Sequence, residues 1–267
     1  MQDYKIVIGK VKKNVSLAEG IYEMVIETGT KANAEAEAYK AFIPGQFVNI
    51  YLDDKSMLLP RPISICDAGG GSVTVVYKAV GQGTKYLSAY HENQKIRLST
   101  PLGNGYHIAE DYMGKRVALV AGGIGIPPMI GLAKTLKERN ADVNAFLGFQ
   151  SQMFLVDKLE KLCENIFIAT DDGSFGFYGN VLELLKSKND IYDEYFSCGP
   201  KAMLKALSGH TLEVERNVQV SIEERMGCGY GACVGCSCKI REGGVVLRKS
   251  VCKHGPVFPG KDVVWDE

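Results

Sequence analysis

A glycine-rich run of cysteines near the end of the chain limits its possible folds and functions more than any other feature. Residues 226–236 read Met-Gly-Cys-Gly-Tyr-Gly-Ala-Cys-Val-Gly-Cys, so three cysteines follow the spacing C-x4-C-x2-C. One more cysteine follows after fifteen residues. Four thiolates are the ligand set of a [2Fe–2S] cluster, and C-x4-C-x2-C is the plant-type ferredoxin spacing. The pattern therefore predicts a cluster held by Cys228, Cys233, Cys236 and Cys252.

The residues around these cysteines suit a tight metal-binding loop. Glycines at positions 227, 229, 231 and 235 allow positive φ angles, so that backbone N–H groups can point at the cluster sulfurs. Ser237–Arg241 and Val245–Ser250 read as two strands around Glu242-Gly243-Gly244. A hairpin there would return Cys252 to the side of Cys236.

Two other chemistries could explain the same cysteines. Zinc sites usually show paired C-x-x-C-like knuckles, whereas this stretch has a single such pair preceded by a longer spacing. Disulfides need an oxidising compartment, and the first residues contain no apolar signal segment. Spacing and glycine content favour iron–sulfur over both, and we expect the fifth cysteine of the stretch, Cys238, not to be a ligand.

The composition is that of an ordinary globular chain. Its 267 residues suffice for two or three domains, and 46% hydrophobic and 23% charged residues are typical values. Equal numbers of basic and acidic residues, 31 of each, argue against a nucleic-acid surface. No apolar run approaches the roughly 18 residues of a membrane span. Eight cysteines without a signal segment indicate a reducing cytoplasm.

Residues 1–108 have the pattern of a small antiparallel β-barrel. Short apolar stretches separated by turns read as its strands, namely Tyr4–Ile8, Ile21–Ile26, Phe47–Leu52, Ser72–Tyr77 and Lys95–Leu98. An Ala- and Glu-rich stretch, Lys31–Lys40, is expected to form an exposed excursion or a short helix.

Two clusters interrupt this β pattern. Arg61-Pro62-Ile63-Ser64 follows one predicted strand, and a glycine-rich turn ending in Gly83-Thr84 follows another. A glycine-rich turn before a helix favours an anion because free N–H groups and the helix dipole both point at it. Arg61 can grip a pyrophosphate with its guanidinium. Either cluster alone is usually a structural turn, but together, upstream of a nucleotide-type domain, they point to a phosphate site.

Residues 109–214 alternate between strands and helices. The predicted strands are Arg116–Val120, Val143–Gly148, Ile166–Ala169 and Asp193–Ser197. This alternation predicts a doubly wound parallel sheet, which binds its ligand beyond the carboxyl ends of its strands. The candidates there are Gly122-Gly123-Ile124-Gly125, Thr170-Asp171-Asp172-Gly173 and Ser197-Cys198-Gly199-Pro200. Because the glycine run lacks the full G-x-G-x-x-G fingerprint, this is not an ordinary Rossmann dehydrogenase.

The predicted fold is therefore α+β and multidomain. An antiparallel β-barrel covers residues 1–108, an α/β doubly wound sheet covers 109–214, and a small cluster domain covers 215–267.

Four motifs in this order resemble the ferredoxin reductase superfamily. Within it, the chain is most similar to the electron-transfer subunits of type 1B dihydroorotate dehydrogenases. The motifs are Arg-Pro-Ile-Ser-Ile at 61–65, Pro-Leu-Gly-Asn-Gly at 101–105, Thr-Asp-Asp-Gly at 170–173 and Glu-Arg-Met-Gly-Cys-Gly-Tyr-Gly-Ala-Cys at 224–233.

The resemblance implies FAD across the barrel and the nucleotide domain, with NAD beside it. Arg61 would face the FAD pyrophosphate, and Ser64 would approach the flavin ring edge near N5. Ile63 stands where many ferredoxin reductases have a tyrosine that stacks on the flavin. The implied FAD residues are Arg61, Pro62, Ile63, Ser64, Val76, Tyr77, Lys78, Gly83 and Thr84, and the implied NAD residues are Gly122, Gly123, Gly125, Cys198 and Gly199.

The resemblance also implies a partner. The chain has no evident base or site for dihydroorotate, so that oxidation would take place on a separate FMN-containing catalytic subunit, in a heterotetramer with two copies of each subunit. Electrons would pass from FMN to the cluster, to FAD and to NAD+, in pyrimidine biosynthesis. A flavin must lie between cluster and nicotinamide because it can exchange both one and two electrons.

Two further functions stay open at this point. One is a diaphorase-like subunit of a hydrogenase or of a ferredoxin:NADP+ transhydrogenase, which shares these domains. The other is a zinc-stabilised nucleotide-binding regulator. For the nicotinamide we expect NAD over NADP, because Gln150 and Ser151 follow the second strand of the nucleotide domain and no Arg or Lys appears before Lys158.

Overall fold

The strands and helices follow the predicted succession of a β-barrel, an α/β sheet and a hairpin. A computed structural model describes residues 4–29, 39 and 42–265. The barrel and its helix are formed by β1 Ile6–Ala18, β2 Ile21–Glu27, β3 Phe47–Tyr51, β4 Arg61–Gly69, β5 Ser72–Lys78, α1 Gln82–Ser88 and β6 Lys95–Ser99. The nucleotide domain begins with β7 Arg116–Gly122, α2 Pro127–Glu138, β8 Asp142–Phe149, α3 Val156–Glu160, β9 Asn165–Thr170 and β10 Phe177–Tyr178. It continues with α4 Val181–Ser187, β11 Glu194–Cys198, α5 Lys201–Glu213 and β12 Asn217–Ser221. The remaining elements are β13 Ser237–Glu242, β14 Val245–Ser250, α6 Val251–His254 and β15 Val257–Pro259.

The first six strands close into an antiparallel barrel in the order β1-β2-β5-β4-β3-β6. Successive side chains of a strand point to opposite sides, so one side of a strand faces the barrel interior. Along β1, for example, Val7 and Val11 are buried while Ile6 and Ile8 are exposed. The barrel prediction is confirmed.

The Arg-Pro-Ile-Ser motif does not interrupt the β pattern, as the sequence suggested, but opens strand β4. Proline is tolerated there because the neighbouring strand β5 pairs with β4 only from Ile65 onward. Pro62 pairs with Asn49 of β3 on the other side, so its missing N–H belongs to the side that has no partner strand.

The α/β sheet has seven strands in the order β10-β9-β8-β7-β11-β12-β15. All neighbours are parallel except β12 and β15, which pair antiparallel at the edge. Helices α2 and α3 pack on one face, while α4 and α5 pack on the other. The doubly wound prediction is confirmed, and the strand order reverses between β7 and β11, where such sheets bind their ligands.

Two strands of this sheet lie beyond residue 214. Strands β12 and β15 extend the sheet on either side of the cysteine segment, although the sequence pattern indicated neither. The division of the chain at residue 214 stays a prediction. The Lys31–Lys40 stretch lies outside the described residues except for Tyr39, which is buried.

The predicted hairpin after the cysteine loop is present. Strands β13 and β14 pair from Ser237 with Ser250 to Glu242 with Val245. The turn consists of Gly243 and Gly244, both at positive φ, as a two-residue hairpin turn requires. Among the described residues, no helix combines the length and apolar character of a membrane span.

Candidate functional site

The four predicted ligand cysteines lie in two neighbouring pairs. Cys228 and Cys233 interact through their side chains, and the amide of Ala232 donates to Cys228 Sγ over 3.3 Å. Cys252 lies against Cys236, whose Sγ accepts from the Cys252 amide over 3.5 Å. The hairpin therefore returns Cys252 to Cys236, as predicted.

Burial and hydrogen bonding give these thiols different acidities. Burial acts to raise the pKa of Cys228, but amide hydrogen bonds from Tyr230, Cys233 and Ala232 outweigh it and lower the pKa to about 6. Burial, followed by contact with Cys236, raises the pKa of Cys252 to about 12. Cys228 is thus a thiolate at neutral pH, whereas metal binding at Cys252 must release a proton.

This donor set fits an iron–sulfur cluster. Two pairs of thiols suit a binuclear cluster, in which four cysteines serve two irons. Cys238 instead lines a cavity of about 130 Å³ together with Lys201 and Trp265, and burial raises the pKa of its thiol to about 11.

The barrel holds the cysteine segment at two points that sequence reasoning missed. Asn49 of β3 donates from Nδ2 to the Cys228 carbonyl over 2.9 Å. Asn104, in the Pro-Leu-Gly-Asn-Gly motif, donates to the His254 carbonyl over 3.0 Å, and its own amide donates to the Gly255 carbonyl. The motif at 101–105 could have signalled this contact, whereas a single asparagine inside a strand carries no such signal.

Arg61 and Gly83 meet at one end of the barrel, although 22 residues separate them in the sequence. A Cβ atom at Gly83 would lie 1.9 Å from Arg61 Nε, so the absence of a side chain at residue 83 makes room for the guanidinium. The Arg61 guanidinium donates to the Leu59 carbonyl and is half-exposed. Arg61 is therefore held in place while its remaining donors can reach a pyrophosphate.

The other predicted FAD residues differ in their surroundings. Pro62, Ile63 and Ser64 are half-buried along β4, and Val76 packs against the side of α2. The Tyr77 ring lies in the barrel core, stacked on Tyr22, and its hydroxyl donates to Asn14 Oδ1 over 3.0 Å. Lys78 is exposed, and the Thr84 hydroxyl accepts from the amides of Val80 and Gly81 at the start of α1.

The two glycine-containing loops of the nucleotide domain meet where the strand order reverses. Ala121 at the end of β7 pairs with Cys198 at the end of β11. A Cβ atom at Gly125 would lie 2.2 Å from the Cys198 carbonyl oxygen, and one at Gly199 would lie 3.0 Å from the Gly122 amide. This packing requires glycine at both positions, and Gly123 takes a positive φ between them.

Cys198 lies in an enclosed setting beneath these loops. Burial raises the pKa of its thiol to about 12, partly offset by a hydrogen bond with the Ser221 hydroxyl. Helix α2 follows the Gly122–Gly125 loop and packs against β4 of the barrel. The barrel strand that carries Ser64 thus contacts the helix that follows the glycine loop.

In the part of the chain that the structure describes, the basic residues considered for the end of β8 are bound to other groups. Gln150 and Ser151 follow β8 and are exposed. Lys158 lies on α3 and forms an ion pair with Glu23 of the barrel. Arg139 donates to the backbone carbonyls of Ile108 and Ala109. Lys158 and Arg139 are therefore both bound to groups other than a nucleotide phosphate.

This combination of barrel, doubly wound sheet and cysteine loop defines a flavin- and nicotinamide-dependent reductase with an iron–sulfur domain. The model of the iron–sulfur cluster binding domain of dihydroorotate dehydrogenase B matches residues 223–264. The prediction of an iron–sulfur domain is thereby confirmed.

Curated relatives extend the similarity over nearly the whole chain. Dihydroorotate dehydrogenase B (NAD(+)), electron transfer subunit, of Clostridium perfringens is 40% identical and is covered over 96% of both chains. The protein of the same name from Shouchella clausii is 39% identical, over 95% of this chain and 96% of its own. The chain belongs to the family of dihydroorotate dehydrogenase B (NAD(+)) electron transfer subunits.

Solved structures show the same fold. One from a study of flavin-based electron bifurcation by the NADH-dependent reduced ferredoxin-NADP oxidoreductase has a TM-score of 0.83 and 29% identity, covering 96% of this chain and 90% of its own. A flavohemoglobin from Malassezia yamatoensis has a TM-score of 0.64 and 19% identity, over 79% of this chain and 57% of its own. The second resemblance concerns the fold alone.

Proposed function

We propose that this protein carries electrons from an FMN-containing dihydroorotate dehydrogenase catalytic subunit to NAD+, through a [2Fe–2S] cluster and FAD, in pyrimidine biosynthesis. The observation that carries the proposal is that the cysteine loop is hydrogen-bonded directly to the barrel next to the flavin strand. Asn49, which holds Cys228, pairs with Pro62 of the Arg-Pro-Ile-Ser motif. The barrel thus contacts the cysteine loop through β3 and the nucleotide domain through β4.

In this proposal Arg61 and the turn at Gly83-Thr84 hold the FAD pyrophosphate, and Pro62, Ile63, Ser64, Val76, Tyr77 and Lys78 contact FAD by side chain or backbone. When bound, FAD exchanges a hydride with the nicotinamide and single electrons with the cluster. The barrel keeps these residues in fixed register, because β4 pairs with β3 from Arg61 to Ser64 and with β5 from Ile65 to Gly69. Positioning and exclusion of water are the protein's contributions to this chemistry.

The nicotinamide would enter where Gly122, Gly123 and Gly125 leave room for it, with Cys198 and Gly199 beside the ring. The close approach of the two loops leaves no space for a side chain at Gly125 or Gly199, whereas a Cβ atom at Gly123 would have nothing within 4 Å. Because Cys198 stays a neutral thiol at physiological pH, it adds no charge beside the ring. We infer that it packs against the nicotinamide and does not act as a nucleophile.

The catalytic subunit would dock on the outer surface of the cysteine loop. Of the four proposed ligands, Cys233 is exposed, while Cys236 and Cys252 are almost fully buried. Val234 and Tyr230 beside it are 67% and 52% exposed, respectively. An apolar rim around an accessible ligand suits a partner that must bring its own redox centre close. We further propose a cytoplasmic heterotetramer with two copies of each subunit.

A second candidate is the NAD(P)H-dependent subunit of a ferredoxin-linked or hydrogenase-linked enzyme. It is favoured by the 29%-identical structure of the ferredoxin-NADP oxidoreductase. Against it, the relatives with 35–40% identity carry the dihydroorotate dehydrogenase B name. A zinc-bound regulator disagrees with the match of residues 223–264 to the iron–sulfur domain.

The deciding experiment is purification of the protein with its native catalytic partner, followed by an assay of NAD+ reduction driven by dihydroorotate. We expect flavin and iron–sulfur absorption in the visible spectrum and turnover that depends on both subunits. A complex that reduces NAD+ only with reduced ferredoxin would favour the second candidate. A colourless, zinc-containing protein would overturn the proposal.

A further inference from the structure

A single buried asparagine joins the flavin side of the molecule to the cluster side. Asn49 of strand β3 is fully buried, and its Nδ2 donates to the carbonyl of Cys228 over 2.9 Å. The Asn49 backbone amide is fixed by the Ser99 hydroxyl over 2.9 Å. The contact thus connects a rigid barrel strand to the residue that we propose as the first cluster ligand.

The cysteine loop is shaped around this side chain. Gly229, which follows Cys228, has a φ of +76°, and a Cβ atom there would lie 2.4 Å from both terminal atoms of the Asn49 amide. The loop backbone therefore rests directly on the amide. The Tyr4 hydroxyl interacts with the same amide, and the Tyr4 ring packs 5.1 Å from that of Tyr230 in the loop.

The side chain of Asn49 is notable for the one strong contact that it makes with the cysteine loop. Asparagine is disfavoured inside strands, and Asn49 Oδ1 is buried without a hydrogen-bond partner among the described residues. Nδ2, by contrast, bonds the Cys228 carbonyl, and an apolar side chain of similar size would leave that carbonyl without its donor.

The position of Asn49 indicates what the amide does. Asn49 pairs with Pro62, and its neighbour Val48 pairs with Ile63, so it lies one strand away from the proposed flavin motif. Resting on the proposed function, we propose that Asn49 is a positioning residue that fixes the Cys228 side of the cluster relative to FAD and so sets the rate of electron transfer between them. Electron transfer falls exponentially with distance, so a loop released from this contact transfers electrons more slowly.

The test compares variants of Asn49 with a matched variant of another buried strand asparagine. Asn49→Leu removes both amide groups at similar volume, and Asn49→Ser removes the contact without overfilling the core. Asn144→Leu is the control, because Asn144 is also buried in a strand but bonds only Asp142 and Asn165 in the nucleotide domain. Stopped-flow absorbance after mixing with NADH gives the rates of FAD and cluster reduction, and electron paramagnetic resonance of the dithionite-reduced protein reports the cluster environment.

For both Asn49 variants we expect cluster reduction to slow several-fold relative to FAD reduction, because the rate of electron transfer falls exponentially as the two centres move apart. We also expect altered g values of the reduced cluster. Asn144→Leu should lower the melting temperature and leave both readouts as in wild type.

Wild-type g values and relative rates in both Asn49 variants would overturn the inference, as would the same changes in Asn144→Leu. A failure of the proposed function would give a different result, because wild-type protein itself would then show no reduction of FAD by NADH or no cluster signal.

Discussion

At the scale of single residues, the placement of Arg61 over Gly83 gives a direct test of the flavin site. Arg61→Ala removes a charge-assisted contact to pyrophosphate worth about 1.5–3 kcal/mol, so FAD should bind roughly 10- to 150-fold more weakly. The measurement is the FAD content after extensive dialysis, with the dissociation constant obtained by flavin fluorescence. Ser64→Ala should alter flavin reactivity more than FAD content.

Arg97→Ala is the matched control for this prediction. Arg97 is a barrel arginine that pairs with Asp53 and lies over the Tyr51 ring. Its loss should leave FAD content unchanged. Full FAD occupancy in dialysed Arg61→Ala would place the pyrophosphate elsewhere.

The cysteine pairs make a second prediction at this scale. Serine at position 228, 233, 236 or 252 should each abolish or badly destabilise the cluster, because a harder oxygen ligand replaces a thiolate. Cys238→Ser should keep the cluster, since that side chain lines a separate cavity. The iron and sulfide content and the visible spectrum of each variant test the expected loss of the cluster in the first four variants and its retention in Cys238→Ser. Loss of the cluster in Cys238→Ser, together with its survival in one of the other four, would show that the ligand set is wrong.

At the scale of elements, the end of strand β8 sets the choice of nicotinamide. A 2′-phosphate carries about two negative charges at neutral pH, and leaving it without a cation costs several kcal/mol. Since Lys158 is bound to Glu23 and Arg139 to backbone carbonyls, we expect kcat/KM for NADH to exceed that for NADPH by roughly 100-fold or more. Steady-state diaphorase kinetics with both cofactors measure the ratio.

Two variants sharpen this prediction. Gln150→Arg should reduce the ratio of kcat/KM for NADH to that for NADPH, because it supplies a cation at the end of β8. Lys158→Ala should leave this ratio unchanged. Comparable kcat/KM for the two cofactors in the wild-type protein would contradict the assignment. A preference for NADPH that disappears in Lys158→Ala would identify Lys158 as the phosphate ligand.

Local sequence patterns predicted most strands and helices, but they did not predict a strand that depends on pairing with a distant part of the chain. Apolar alternation identified β2, β5 and β6, and the glycine pair at 243–244 identified the final hairpin. Strand β4 was missed because proline normally argues against a strand, and only the one-sided pairing at Pro62 makes it acceptable. Strand β15 has three residues, too few to show a period.

The candidate site also contains some residues that local sequence patterns predicted and others that depend on distant contacts. Spacing and glycine content predicted the four ligand cysteines, which lie in two neighbouring pairs, and the glycine run after β7 predicted a nucleotide site at the Gly122–Gly125 loop. No local signal could reveal Asn49, because its role arises from a contact with a residue 179 positions later. Chemistry carried within a short motif is readable from sequence, whereas chemistry created by packing of distant segments is not.

At the scale of the whole molecule, Glu23 links the barrel to the nucleotide domain. Its side chain is 3% exposed and pairs with Lys13 of β1 and Lys158 of α3. Burial acts to raise the pKa of Glu23, but the hydrogen bonds from Lys13 and Lys158 outweigh it and leave the pKa lowered. A carboxyl with a depressed folded-state pKa stabilises the protein above its unfolded pKa of about 4.3, and this stabilisation is lost as pH falls through the folded pKa.

Glu23→Gln should therefore lower the free energy of unfolding by about 1–3 kcal/mol at pH 7. The difference from wild type should shrink as the pH falls below about 4.3, where Glu23 of the unfolded wild-type chain binds a proton before Glu23 of the folded protein does. Urea unfolding at several pH values measures both. Glu27→Gln, which breaks the exposed pair with Lys12, should cost less than about 1 kcal/mol. An effect of Glu23→Gln that is equal at pH 3 and pH 7 would exclude this linkage.

The cysteine segment leaves the nucleotide sheet after β12 and rejoins it at β15, and the Ile222 amide closes the gap by donating to the Pro256 carbonyl over 2.9 Å. Neither the pairing of β12 with β15 nor the bond from Ile222 to Pro256 involves a cysteine. A small zinc domain takes its folding energy from its metal, whereas we expect β12 and β15 of this chain to join the nucleotide sheet before any iron arrives, with the cluster inserted afterwards. Iron starvation would then yield a folded protein that still reduces its flavin with NADH but is disconnected from its electron source.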